Sequence, residues 1–158
     1  MESAFGPDNS PSAVLDTNVV LDWLVFRDAS TAPLVEAIVG GRLRWLSCPR
    51  MRDELRRTLS YSALARWQPD SEHVLTNFRR WSVVCPTPAP LAANPACTDA
   101  DDQVFIDLAL AEGAQWLLTH DRALLKLARR LLARGVLVVT PASWLAMEAK
   151  RAAEAALG

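Results

Sequence analysis

The chain has few of the residues that mark disulfide-rich, zinc-binding or membrane proteins. Only three of its 158 residues are cysteine and two are histidine. Cys48, Cys85 and Cys97 lack the spacing of a zinc site, and we expect them to be unpaired thiols in a reducing compartment. No apolar run approaches the ~20 residues that a membrane-spanning helix requires.

A strong charge of either sign is also missing. The formal net charge is −1, from 17 basic and 18 acidic residues. Net charge alone would therefore not attract nucleic acid, although it does not exclude a local basic patch. Residues 1–12 are polar and lack the apolar segment of a signal peptide. We predict a disordered N-terminal tail over 1–12, a single domain over 13–158 and a cytoplasmic protein.

Short apolar runs alternate with helical patterns along the chain. The runs at 14–16, 43–46, 83–84, 116–118 and 136–139 suit strands that are buried on both faces of a parallel sheet. Helices are predicted between them, including one at 103–112 and one at 122–134, and the proline-rich segment 86–97 is predicted to be a loop. This alternation indicates an α/β fold with a mainly parallel central sheet flanked by helices.

Acidic residues follow two of these strands directly. Asp16 ends the first strand, and Asp121 comes just after the strand at 116–118. Because a parallel sheet collects functional groups at the carboxyl ends of its strands, we expect both acids in one crevice. Asp102 opens the helix at 103–112, and Glu54 lies on a helix that starts at Pro49. Four separate segments can thus each supply one carboxylate.

The acids near residue 100 also have an ordinary explanation. Asp102 could merely cap its helix, and Asp99 or Asp101 could take the functional role instead. Thr119 could orient water or an acid, or simply bond to backbone. Asn18 could act in the same way.

Glu54 has a simple alternative as well. It could form a helix-surface pair with Arg50 or Arg57, which contributes little to stability. Arginines on this helix are also candidates for RNA phosphate contacts, because guanidinium groups bind phosphate in a fork. The RNA-binding candidates are Arg50, Arg52, Arg57, Arg122 and Lys126, and an ordinary solvated helix face is the alternative for the last two.

Other polar and aromatic residues are given structural roles. Asp22 and Asp107 are taken as solvated helix positions, and His120 as a bystander that points away from Asp121. The six tryptophans are expected in the core rather than as platforms for base stacking. Apolar residues of the first helix, among them Leu21, Trp23 and Leu24, exceed what one core needs and favour a homodimer.

Four stretches carry a resemblance to a known family. In order they are VLDTNVVLDWL, CPRMRDELRRTLS, DADDQVFIDLALAEGAQWLLTHDRALL and GVLVVTPASWL, and they span about residues 13–146. Each motif is weak alone, but their order and spacing resemble the PIN domain. Within that superfamily they are similar to the toxins of bacterial toxin–antitoxin pairs. The resemblance implies a PIN-like three-layer sandwich, RNA as substrate, an antitoxin partner and a homodimer.

The resemblance also implies a metal-dependent nuclease. Asp16, Glu54, Asp102 and Asp121 match the family's four acidic positions, with Mg²⁺ or Mn²⁺ held by Asp16, Asp102 and Asp121. The polar positions beside them are matched by Asn18 and Thr119, and the extra acids of the subgroup by Asp99 and Asp101. The subgroup often has proline where this chain has Ala100, a departure that leaves the acids unchanged.

The residues themselves support this chemistry. Converging carboxylates repel one another, and Mg²⁺ or Mn²⁺ relieves the repulsion because both prefer hard oxygen ligands. A phosphatase that uses Asp16 as its nucleophile is disfavoured, since the only lysines are Lys126 and Lys150 and neither is tied to a second motif. A non-catalytic PIN relic that binds RNA or a partner is the other alternative.

Overall fold

The computed structural model describes residues 10–157, which form one five-stranded sheet and eight α-helices. The strands are β1 (Ser12–Leu15), β2 (Arg44–Ser47), β3 (Ser82–Val84), β4 (Trp116–Leu118) and β5 (Leu137–Val139). The helices are α1 (Thr17–Leu24), α2 (Ala32–Val39), α3 (Pro49–Leu59), α4 (Ser71–Trp81), α5 (Gln103–Glu112), α6 (Arg122–Leu125), α7 (Ala128–Leu132) and α8 (Pro141–Leu157). Short 3₁₀ helices lie at Ala29–Thr31, Ser62–Trp67 and Ala100–Asp102.

All five strands are parallel, in the order β3-β2-β1-β4-β5. The chain first builds outward from β1 through β2 and β3, and then returns to the other side of β1 with β4 and β5. The strand order therefore reverses between β1 and β4, where Val14 is in register with Leu117. A crevice opens at the carboxyl ends of the strands at such a reversal. The predicted α/β three-layer sandwich is confirmed.

The central strands are apolar on both faces because helices cover both. Every residue of β1 and of β4 is buried. Trp45 of β2 is fully buried, and its ring lies 5.4 Å from that of Trp23 and 5.2 Å from that of Phe78. At the sheet edge Val83 and Val84 are about half exposed. This gradient places β1 and β4 at the centre of the core.

The predicted helix at 122–134 is divided in two. Helix α6 ends at Leu125 and α7 begins at Ala128. Leu124, Leu127 and Leu131 are all buried, and both helices contact β5. Their spacing keeps these leucines on one side of the two helices, so the break does not interrupt the buried face.

The predicted N-terminal tail reaches into the fold at its end. Ser12 belongs to β1, and the carbonyl of Pro11 accepts a hydrogen bond from the backbone N–H of Arg44 at 2.9 Å. The tail up to residue 9 lies outside the described residues.

The first helix offers little apolar surface for an interface. Leu21 and Leu24 are buried, and Trp23 packs against Trp45. These residues therefore complete the core and do not supply the dimer surface expected of them. In residues 10–157, no helix is long and apolar enough to cross a membrane, and Cys48, Cys85 and Cys97 are all free thiols.

Asp107 is buried, so its expected place on a solvated helix face is wrong. One of its carboxylate oxygens accepts hydrogen bonds from the Asn94 amide at 2.9 Å and from the Gln103 amide at 3.1 Å. Gln103 also donates to the carbonyl of Pro95 and accepts from the N–H of Cys97. Together these bonds fix the proline-rich loop on α5, just before the acids that start at Asp99.

We expect Asp107→Ala to lower the free energy of unfolding by about 1–3 kcal/mol, because two amide donors would lose their buried acceptor. Urea denaturation measures the change. The exposed Asp53 forms only 3.6 Å ion pairs with Arg52 and Arg56, so Asp53→Ala is the matched control and should cost at most about 1 kcal/mol. Equal effects of the two substitutions would contradict this role of Asp107.

Candidate active site

Asp16 lies where β1 passes into α1. Its backbone N–H bonds to the carbonyl of Leu118 at 3.1 Å, which extends the β1–β4 pairing by one step. Its side chain caps α1, since Oδ1 accepts from the N–H of Val19 at 3.0 Å. Only 3% of Asp16 is exposed. Strand pairing and helix capping thus hold this carboxylate at the strand-order reversal.

Thr119 joins the ends of β1 and β4. Its buried hydroxyl donates a hydrogen bond to Oδ2 of Asp16. The same hydroxyl oxygen accepts from the backbone N–H of Asp121 at 2.9 Å. Thr119 therefore orients one acid and also bonds to the backbone of the next, which combines both roles considered for it.

Asp121 and Asp102 meet in the crevice from different elements. Asp121 caps α6 through a 2.8 Å bond from the N–H of Ala123 to its Oδ1. Asp102 occupies the cap position of α5, but its side chain makes no capping bond. Its Oδ2 is buried without a hydrogen-bond donor. Asp99 is the acid that caps here, accepting from the N–H of Asp101. The side chain of Asp102 therefore does not cap α5.

Burial and neighbouring carboxylates raise the pKa values of Asp102 and Asp16. Burial is the largest cause that raises the pKa of Asp102 to about 8. Contact with the carboxylate of Asp121 follows, because a proton shared between the two is favourable, and the charges of Asp99 and Asp16 add to it. Burial also raises the pKa of Asp16, with a smaller contribution from Asp121. Loss of hydration thus exceeds the mutual repulsion as the main cause.

Asp102 and Asp121 bring carboxylate oxygens of the kind that divalent metals prefer. In residues 10–157, no group of three or more His, Cys, Asp or Glu side chains is arranged to hold a metal ion. Mg²⁺ does not require such a group, because it keeps several waters and binds through one or two carboxylates together with substrate phosphate. The unpartnered Oδ2 of Asp102 beside Asp121 is the kind of hard oxygen that such an ion needs.

Glu54 is not among the main charges that shift the pKa values of Asp16 and Asp102. It is on α3, and its carboxylate accepts from the guanidinium of Arg57 at 2.8 Å, the surface pair considered as its alternative role. Helix α3 packs against α1 and α5, which adjoin Asp16 and Asp102. Asn18 is exposed on the first turn of α1, and Asp101 is exposed beside Asp102.

The basic candidates fall into two sets. Arg52 and Arg57 are engaged with Asp53 and Glu54, although each side chain is at least 40% exposed. The other set is exposed and forms no ion pair within residues 10–157; it consists of Arg50, Arg122 and Lys126. Arg122 and Lys126 begin and end the short helix that Asp121 caps.

A histidine–aspartate pair near the acidic group was not predicted from the sequence. Nε2 of His120 lies 3.4 Å from Oδ2 of Asp22. The charge of His120 also lowers the pKa of Asp16, against the larger effect of burial. His120 is therefore near the acids, and Asp22 is only partly exposed. The four-residue spacing of Asn18 and Asp22 on α1 is the sequence signal that links Asp22 to the site.

Fold and site together define an α/β protein with a buried acidic group at a parallel strand-order reversal. The sequence model of the PIN domain matches residues 12–123. The chain belongs to the PIN domain family, whose members are generally nucleases.

The fold is also similar to a solved structure. The crystal structure of VapBC2 from Rickettsia felis, bound to a DNA fragment from their promoter, matches with a TM-score of 0.53 and 15% identity. The match covers 80% of this chain and 96% of that one. At this identity the likeness concerns the fold. No curated protein matches the sequence.

The acidic group predicts an inverted pH dependence of stability in metal-free protein. The folded pKa of Asp102, about 8, is above the ordinary value of 3.8 for this carboxyl group. Between these two values the folded state binds a proton on Asp102 that the unfolded chain has released. The stabilisation that this proton gives to the folded state is lost as pH rises from about 4 through about 8. Asp102→Asn should raise the melting temperature above pH 8, by about 2–4 °C for each kcal/mol of charge penalty removed.

Differential scanning fluorimetry with a chelator, from pH 3.5 to 9, measures this difference. It should be small near pH 3.5, where Asp102 is protonated in the folded state and mostly protonated in the unfolded chain. Asp53→Asn, at an exposed acid, is the control and should show no such trend. A variant that is less stable than the parent at pH 9 would contradict the burial of this carboxyl group.

Proposed function

We propose that the protein is a metal-dependent endoribonuclease that hydrolyses phosphodiester bonds in single-stranded RNA. The observation that supports the proposal is the contact of Asp102 with Asp121 beside the buried Asp16, with an oxygen of Asp102 that has no hydrogen-bond donor. Hard carboxylate oxygens without a catalytic serine or cysteine favour metal-assisted hydrolysis.

The residues of the acidic group would have separate roles in binding the metal and in positioning its ligands. Asp102 and Asp121 hold the metal with Asp16, and Thr119 keeps Asp16 and the Asp121 backbone in place. Mg²⁺ or Mn²⁺, when bound, neutralises these acids and polarises the phosphodiester. Asp99 and Asp101 add negative charge beside Asp102, and Asn18 lies at the start of α1.

Glu54 and the basic residues would complete the site. We include Glu54 as the fourth catalytic acid, on a helix that packs against α1 and α5. Arg57 holds it at 2.8 Å and is itself a candidate for phosphate contact, since its side chain is 62% exposed. The other proposed RNA contacts are Arg50, Arg52, Arg122 and Lys126.

The proposal extends to the biological setting. The resemblance of the sequence, together with a fold similar to that of VapBC2, supports the toxin of a toxin–antitoxin pair, with an antitoxin protein as partner and the cytoplasm as its location. A phosphatase that attacks through Asp16 is disfavoured, because the only lysines are Lys126 and Lys150 and neither is tied to a second motif.

Asp16→Asn tests the nuclease directly. The amide retains an acceptor for Val19 and a polar partner for Thr119, so the fold should persist. Removing a metal ligand should lower Mn²⁺-dependent cleavage of single-stranded RNA by about 100-fold or more, since even residues that only support ligands cost 10–100-fold. Asp53→Asn should cleave like the parent. Equal rates for Asp16→Asn and the parent would overturn the site.

The same variants give a second readout that needs no RNA. Mn²⁺ at roughly a hundredfold over its dissociation constant should stabilise the parent by about 2.7 kcal/mol. Thermal unfolding with and without Mn²⁺ should show a smaller gain for Asp16→Asn and for Asp121→Asn. A metal-binding protein that does not cleave RNA would identify the non-catalytic relic.

A homodimer is part of the proposal and rests on the resemblance, since Leu21 and Leu24 are committed to the core. Light scattering at high micromolar concentration should give twice the mass of one chain. A mass of one chain throughout the concentration series would refute the dimer without affecting the nuclease.

A further inference from the structure

Two aromatic rings lie together just after α1 and in the segment after α3. They are Phe26 and Trp67, called here the aromatic platform. Phe26 is partly buried against the core, whereas Trp67 is 44% exposed. By contrast, Trp45, Trp116 and Trp144 are buried, as expected of core tryptophans. A large exposed ring contributes little to the core, so contacts other than core packing must hold Trp67.

Two contacts fix the ring of Trp67. Its centroid lies 4.8 Å from that of Phe26, with the planes at 62°. The guanidinium carbon of Arg66 lies 5.1 Å from the same centroid. Edge-to-face and cation–π contacts of this kind restrict an aromatic ring. Trp67 is therefore oriented before any ligand arrives, although much of its surface remains open.

The backbone is strained beside both partners of this ring contact. Arg27 follows Phe26 and has a φ of 52°, and Gln68 follows Trp67 and has a φ of 45°. In residues 10–157 these are the two non-glycine residues with positive φ. Residues with side chains rarely adopt this region, and such strain concentrates at functional sites.

Helix α1 lies between the acidic group and the platform. Asp16 caps the start of this helix, and Phe26 follows its end at Leu24. The helix has eight residues, which corresponds to about 12 Å at 1.5 Å per residue. Asp22, on its last turn, is paired with His120 near Asp16. A nucleic-acid strand that runs along α1 from the acids would reach the platform.

The charges around the platform suit a polyanion. Arg27 and Arg66 form no ion pair within residues 10–157 and both are exposed. The nearest acids in sequence are engaged as caps: Asp28 accepts from the N–H of Ser30 at 2.9 Å, and Asp70 from the N–H of His73 at 3.1 Å. Two unpaired guanidinium groups beside an exposed ring combine phosphate attraction with a stacking surface.

We propose that the aromatic platform stacks an unpaired base of the single-stranded RNA that is cut at the acidic group, while Arg27 and Arg66 contact the phosphates beside that base. This rests on the proposed nuclease function and assigns part of its substrate site. Stacking on an aromatic ring tolerates any base, so the platform recognises single strands and not a sequence.

Binding can be measured without cleavage by fluorescence anisotropy of labelled single-stranded RNA in a chelator, with every variant made in the Asp16→Asn protein. Trp67→Ala should weaken binding about ten-fold, as loss of one stacked base predicts. Trp67→Phe keeps a ring and should restore most of the affinity. Leu132→Ala removes an equally exposed apolar residue on α7 and should have no effect. Circular dichroism verifies the fold of each variant.

RNA with a single abasic nucleotide, moved through each position in turn, identifies the stacked base. At one position, the abasic nucleotide should weaken binding to the Asp16→Asn protein that retains Trp67. At the same position it should not weaken binding to the Trp67→Ala variant any further. If Trp67→Ala binds as tightly as its parent, or if no abasic position depends on Trp67, the platform does not bind RNA and belongs to a protein interface.

This result is separable from the nuclease proposal. RNA binding that depends on Trp67, in a protein whose parent does not cleave RNA with Mn²⁺, would support the platform and refute the nuclease. If Trp67→Ala cleaves RNA and its rate depends on RNA concentration as in the parent, the result supports the nuclease and refutes the platform.

Discussion

The site depends on the pairing of β1 with β4. These two strands lie next to each other although about a hundred residues separate them, and the sheet order reverses between them. The buried hydroxyl of Thr119 completes the pairing, because it bonds to the carboxylate of Asp16 and to the backbone of Asp121. Without this junction the acids would have no common crevice, since they come from segments that are distant in sequence.

Burial has opposite consequences for the fold and for the site. Strand β1 and the start of α5 bring Asp16 and Asp102 into a poorly hydrated region, and loss of hydration is the largest cause of their raised pKa values. A carboxyl group in such a place prefers a proton or a cation over free charge. The acidic group is therefore a cost to the metal-free fold and a suitable place for a divalent ion.

Local charge describes this protein better than its net charge of −1. Acids are concentrated at the strand ends, whereas arginines lie on α3 and around the exposed ring of Trp67. Several arginines are already paired, as Arg57 is with Glu54. Arg27 and Arg66, which form no ion pair within residues 10–157, lie beside the aromatic platform. An almost neutral chain can thus carry an acidic group and an exposed aromatic and basic surface at separate places.

The sequence by itself determined the order and type of most elements, because consecutive apolar residues and clear helix starts are local signals. It also indicated Asp16 and Asp121 as site residues, since an acid directly after a buried parallel strand must lie where the strands of the sheet end. Only the tertiary structure decided which acid near residue 100 faces Asp121, that Asp107 is buried under a loop, and that Trp67 is exposed. Those outcomes depend on contacts between distant segments, where desolvation and packing, and not local pattern, determine the position of a side chain.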